Sequence, residues 1–162
     1  MPTITPAHVH ILVNHIPIIG LPLIALLLLW GLARGQDAVL RAALLGTVLI
    51  AAGTWLTDFT GDGAKDDIRH LAWAEKDVIT AHEDAGDRAN ILAIITGVAA
   101  LGTLVLARGG RPVRRPVATG VLGLLVVSAA LAGWAGWQGG KIRHAEFGLT
   151  PPPTAADSTA PH

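Results

Sequence analysis

The stretch His8-Val9-His10-Ile11-Leu12-Val13-Asn14-His15-Ile16-Pro17 decides how the chain is read, because it sets three histidines and an asparagine at the start of an apolar run. Residues 11–33 carry no charged side chain, and ~20 apolar residues are what a helix needs to cross a bilayer core. His15 is therefore expected roughly one turn or more below the membrane surface, at a rise of ~1.5 Å per residue. An imidazole at that depth costs free energy unless a partner meets it, which makes it a candidate functional group.

Composition supports the same class. Hydrophobic residues make up 51% of the chain and charged residues 15%, the balance of a membrane protein. The absence of cysteine excludes disulfides, thiolate metal sites, cysteine-ligated iron–sulfur clusters and covalent c-type haem attachment. Any metal or cofactor must be held by histidine, carboxylate or backbone. A formal net charge of zero provides no basic field for nucleic acid.

Working outward, four spans are expected, over residues 11–33, 39–57, 91–107 and 117–137. The fold class is an all-α membrane protein, a four-transmembrane-helix up-down bundle occupying residues 1–148, followed by a disordered Pro/Thr/Ala-rich tail over 149–162. The two short connections and their edges hold Arg34, Arg41, Arg108, Arg111, Arg114 and Arg115 against one acid, Asp37. The positive-inside rule then predicts a multi-pass protein of the bacterial inner membrane with both termini periplasmic. The N-terminus lacks a basic n-region and its apolar run is long, which reads as an anchor span and not as a cleaved signal peptide.

In this topology all seven histidines fall on the outer half or outside. The polar chemistry is thus expected at the outer face. Two readings compete for the long outer connection, residues 61–88. One is an amphipathic helix over 66–82, lying on the membrane or over the bundle mouth. The other is a capping box, Thr80-Ala81-His82-Glu83, starting the third span with Thr80 as N-cap.

Helical spacing then groups the candidates. Gly133, Gly136, Gly140 and His144 recur at offsets of three and four, as do His82, Gly86, Ala93 and Gly97. In the first span His8, Leu12 and His15 share a face, and His10 points ~140° away from His15. An imidazole beside small residues is what a flat macrocycle between helices requires. Haem b is the cofactor so predicted, held among His15, His82, His144 and His10, with Gly86 and Gly140 leaving room and Arg143 or Arg88 available to the propionates.

The alternative is a copper or zinc site built on His15, His82 and His144, joined by Glu83, Glu146 or Asp58. The H-E-x-x-H spacing of a zinc protease is absent, so no catalytic residue is assigned. A third reading is a structural subunit of a larger complex whose histidines only hydrogen-bond. Expected partners are the lipid bilayer, other membrane-complex subunits, the quinone pool, and a basic periplasmic protein such as a c-type cytochrome. That last partner would dock on an outer face carrying eleven of the twelve acids.

Asn14-His15-Ile16-Pro17, Thr60-Gly61, Ala81-His82-Glu83 and Gly139-Gly140-Lys141-Ile142-Arg143-His144-Ala145-Glu146 resemble motifs of four-helix bacterial inner-membrane proteins of unknown function. The segment from His10 to Pro17 is also similar to the HPxxVHFP opening of a broader membrane family. Here Ile11, Asn14 and Ile16 replace its proline, valine and phenylalanine. The resemblance implies that His15, His82 and His144 are the residues of interest.

Overall fold

A computed structural model describes residues 4–71 and 74–143, with only the backbone at position 143. Its helices are α1 (Pro6–Val13), α2 (His15–Arg34), α3 (Asp37–Ile68), α4 (Lys76–Leu106) and α5 (Arg115–Arg143). Helices α1 and α2 run in series as one crossing, so four segments are long and apolar enough to span a membrane. The interruption at Asn14 follows from Pro17, which has no N–H to offer the Val13 carbonyl four residues back. The hydroxyl of Thr57 on α3 stands 3.5 Å from that carbonyl as a distant substitute donor.

The spans form an up-down bundle in which α2 and α4 each pack against α3 and α5, while α1 lies along α3. Its outside is as apolar as its inside. Leu26, Leu49, Ile91 and Val98 are all more than half exposed around the girth, a surface suited to lipid and not to water. The core is of two kinds. Toward the Arg-rich turns Leu28, Leu44 and Leu125 are fully buried, and Leu21 continues this core along α2. Toward the histidines the buried cluster is Ala85, Ala89 and Ala135, with Leu131 against it.

Small residues let the helices touch. A Cβ at Gly97 would strike the Cβ of Ala51, so α3 and α4 meet there nearly backbone to backbone. Buried Thr47, Thr96 and Thr103 donate their hydroxyls to carbonyls one turn back, at 2.9, 2.7 and 2.8 Å. The Thr96 and Ser128 hydroxyls lie 3.0 Å apart and tie α4 to α5. Each of these hydroxyls is thus satisfied within the apolar interior.

The long connection departs from the sequence reading. Among the described residues there is no separate amphipathic helix over 66–82. Helix α3 instead runs on to Ile68, and α4 starts at Lys76 with Glu75 as N-cap, leaving Thr80 inside the helix. Tertiary contacts explain the extension. Ala64 and Ile79 are buried, Lys65 Nζ lies 2.5 Å from Glu83 Oε1, and the Ala7 N–H donates to Asp67 Oδ2 at 3.1 Å. At 32 and 31 residues α3 and α4 are each roughly 45 Å or more long, against a hydrocarbon core of ~30 Å. Their ends therefore project beyond the bilayer core.

The Arg-rich end is closed by hydrogen bonds. Gly35, at φ 65°, ends α2 in the left-handed conformation that glycine tolerates, and the Gln36 N–H returns to the Gly31 carbonyl at 3.1 Å. Asp37 accepts from Arg41 Nε and from the Val113 N–H, both at 2.6 Å. Arg41 also donates to the carbonyls of Ala107 and Arg111, and Arg115 donates to that of Leu32. Guanidinium groups thus meet the negative ends of α2 and α4.

Candidate histidine pair

Two histidines from different spans face each other at the opposite end. The rings of His10 on α1 and His82 on α4 have centroids 6.1 Å apart and planes at 71°. Each is held by a third helix. His10 Nδ1 lies 3.1 Å from the Thr57 carbonyl and 3.3 Å from the Thr60 hydroxyl on α3. His82 Nδ1 lies 3.0 Å from the Ala135 carbonyl on α5.

A carbonyl oxygen only accepts, so Nδ1 carries the proton in both rings. In the neutral tautomer that leaves the Nε2 lone pair for another donor or a metal.

Glycines make the space these rings occupy. A Cβ at Gly139 would lie 2.9 Å from His82 Cε1, and one at Gly61 would lie 3.3 Å from His10 Cε1. The Thr60-Gly61 and Gly139-Gly140 motifs thereby acquire a physical reason: each seats an imidazole from the helix opposite. Gly139, rather than Gly140, receives the His82 ring, because it is the one turned inward. Gly86 and Gly140 have no atom within 4 Å of their Cβ position and stay open, while Gly136 packs on Ile18 and Gly97 on Ala51.

His15 is placed differently from expectation. It is exposed, and its Nδ1 donates to the Ile11 carbonyl of its own chain at 2.7 Å. The ~140° between His10 and His15 is a property of the helix. The structure turns His10 inward and His15 outward. His144 and the Arg143 side chain lie outside the described residues. Arg88 is exposed.

The bare-metal set is not assembled among the described residues, where no three His or carboxylate side chains are placed to share an ion. Glu83 is already paired with Lys65, and His15 faces outward.

His10 and His82 are the residues that would hold a haem here. Two imidazoles joined through a metal by bonds of roughly 2.0–2.1 Å hold their ring centres on the order of 6 Å apart, the separation seen here. Donating Nδ1–H to a backbone carbonyl is also how ligating histidines fix their tautomer and orientation. Below the pair, the amide oxygens of Asn14 and Asn90 are buried without a hydrogen-bond partner. They keep this part of the interior polar. Lys141 sits 5.9 and 5.8 Å from the rings of Trp134 and Trp137, an arrangement suited to the membrane boundary.

No family model, curated protein or solved structure matches the chain.

Proposed function

We propose that the chain is a membrane cytochrome b-like electron-transfer subunit, with haem b held near the outer face by His10 and His82. The observation that carries this reading is the pair of imidazoles 6.1 Å apart, each with its Nδ1 on a carbonyl of another helix, an arrangement that would leave Nε2 to a metal. Two imidazoles complete the axial set of a haem iron. A protein-bound zinc ion takes three or four protein ligands, and the described residues do not bring a third to this pair. When bound, the haem would supply a one-electron ferric/ferrous couple.

The chain's own residues do the rest. The Thr57 and Ala135 carbonyls orient the rings, Gly61 and Gly139 give them room, and the apolar bundle limits water. The Arg-rich turns support a reading in which that end faces the cytoplasm of a bacterial inner membrane and both termini face the periplasm. With no histidine at the Arg-rich end, electrons would enter and leave on the outer side, between a quinol donor and a periplasmic acceptor. A basic c-type cytochrome is complementary to the acidic outer face.

The test is the absorption spectrum of protein purified from its native membrane. A Soret band and a sharp reduced α band are expected, lost in His10→Ala and in His82→Ala and kept in His15→Ala. Wild-type protein without either band would sink the proposal.

A further inference from the structure

We infer that the groove between α1 and α3 beside His10 binds a lipid-soluble quinol and accepts its proton, which deepens the electron-transfer reading and rests on it. The groove has a volume of about 390 Å³ and is lined by Pro6, Val9, Phe59, Thr60, Asp62 and Gly63. Its walls are apolar, with two oxygen-bearing side chains among them. The Phe59 ring is 67% exposed and stacks on Trp55 at 6.1 Å, so a flat apolar face is held at the groove. Thr60 touches the redox site directly, its hydroxyl oxygen 3.3 Å from His10 Nδ1.

Asp62 gives the groove its selectivity. Among the described residues it is in no hydrogen bond or ion pair, and its charge acts on Lys65, whose ammonium is bonded to Glu83. A carboxylate on an apolar wall repels phosphate headgroups and fatty acids, and it accepts from a phenolic O–H. A neutral aromatic diol in the membrane has both features the groove asks for: a flat apolar ring and a hydroxyl to donate.

The chemistry closes on that arrangement. Both O–H bonds of the quinol break, and it leaves as the quinone. Its two protons pass by way of the Asp62 carboxylate to outer water. Its two electrons would go to the periplasmic acceptor one at a time, through the one-electron couple that a haem held by His10 and His82 would supply. Proton and electron thus part at adjacent groups, Asp62 and His10.

The experiment uses the full-length protein in lipid nanodiscs with a photoreactive azidoquinone. Labelling is expected on the peptide spanning 59–63, and excess decylubiquinone should compete it away. Asp62→Asn and Phe59→Ala are each expected to weaken labelling and to slow haem reduction by decylubiquinol at least tenfold, with haem content unchanged. Label confined to other segments, or both variants reducing at the wild-type rate, would overturn the quinol site. Haem without labelling removes this inference and spares the cytochrome reading. Competed labelling of 59–63 without haem supports the site and removes the cytochrome reading.

Discussion

The two ends of this bundle spend their polar groups in opposite ways. At the Arg-rich end Asp37, Arg41 and Arg115 stitch the turns to helix termini over a leucine core. At the histidine end the packing is alanine, each facing ring is tied by Nδ1 alone, and two asparagine oxygens are buried without a partner. Closed networks hold a fold together, whereas incompletely satisfied ones mark places where something else is bound or moved. On the proposed function, the contrast places stability at one end and chemistry at the other.

The contrast breaks most sharply if the histidines are only structural. His82→Ala is therefore expected to lower haem content by tenfold or more while Arg41→Ala leaves it unchanged, both read from the reduced-minus-oxidised spectrum. Equal loss in the two variants would mean that the ends do not divide the work.

Removing Asp37 tests the other half. Asp37→Ala leaves the buried Val113 N–H and the Arg41 guanidinium without their acceptor, at a cost of about 1–3 kcal/mol. A lower thermal midpoint by circular dichroism in detergent is expected, with the haem bands preserved below the transition. An unchanged midpoint would show that the stitching contributes nothing.

Between the ends, Gly97→Ala forces a methyl group against Ala51 and should cost roughly 1–3 kcal/mol. Gly123→Ala meets no atom within 4 Å and is expected to be neutral or to stabilise by ~0.5–1 kcal/mol. Similar losses in both would contradict the close approach of α3 and α4. The smallest effect is expected at Lys65→Met. Its ion pair with Glu83 is 42% and 32% exposed, and such solvent-screened pairs contribute little. A fall in denaturant titration as large as that of Gly97→Ala would make the histidine end more dependent on charge than its exposure implies.

Much of the fold was legible because a bilayer imposes a length. Four apolar runs, their short Arg-bearing turns and the one-sided placement of histidine are all visible in the residues, and the bundle follows from them. The site was legible in part. His82 and His10 were among the candidates, and Thr60-Gly61 and Gly139-Gly140 stood out as motifs, yet His15 was weighted above His10 and Gly140 above Gly139. Periodicity reports the angle between two side chains on a helix but not which of them turns inward. In a soluble helix the polar face answers that question. Here both lipid and core accept apolar residues, so no face is marked. The outer ends of α3 and α4 were missed for a related reason: their helicity comes from Ala64, Ile79 and the Lys65–Glu83 pair packing across the bundle, at positions far apart in the chain.

By itself the sequence determined that the chain crosses a membrane four times, keeps six of its nine arginines at one end and its histidines at the other, and has no thiol with which to hold a metal. Hydrocarbon thickness and charge placement are properties of the residues in order, and they need no tertiary contact to act. Only the tertiary structure decided that His10 meets His82, that Gly61 and Gly139 receive their rings, and that His15 turns away. Those outcomes depend on the rotation of each helix about its own axis, which is set by close packing of small residues against neighbours and not by any local preference of the chain.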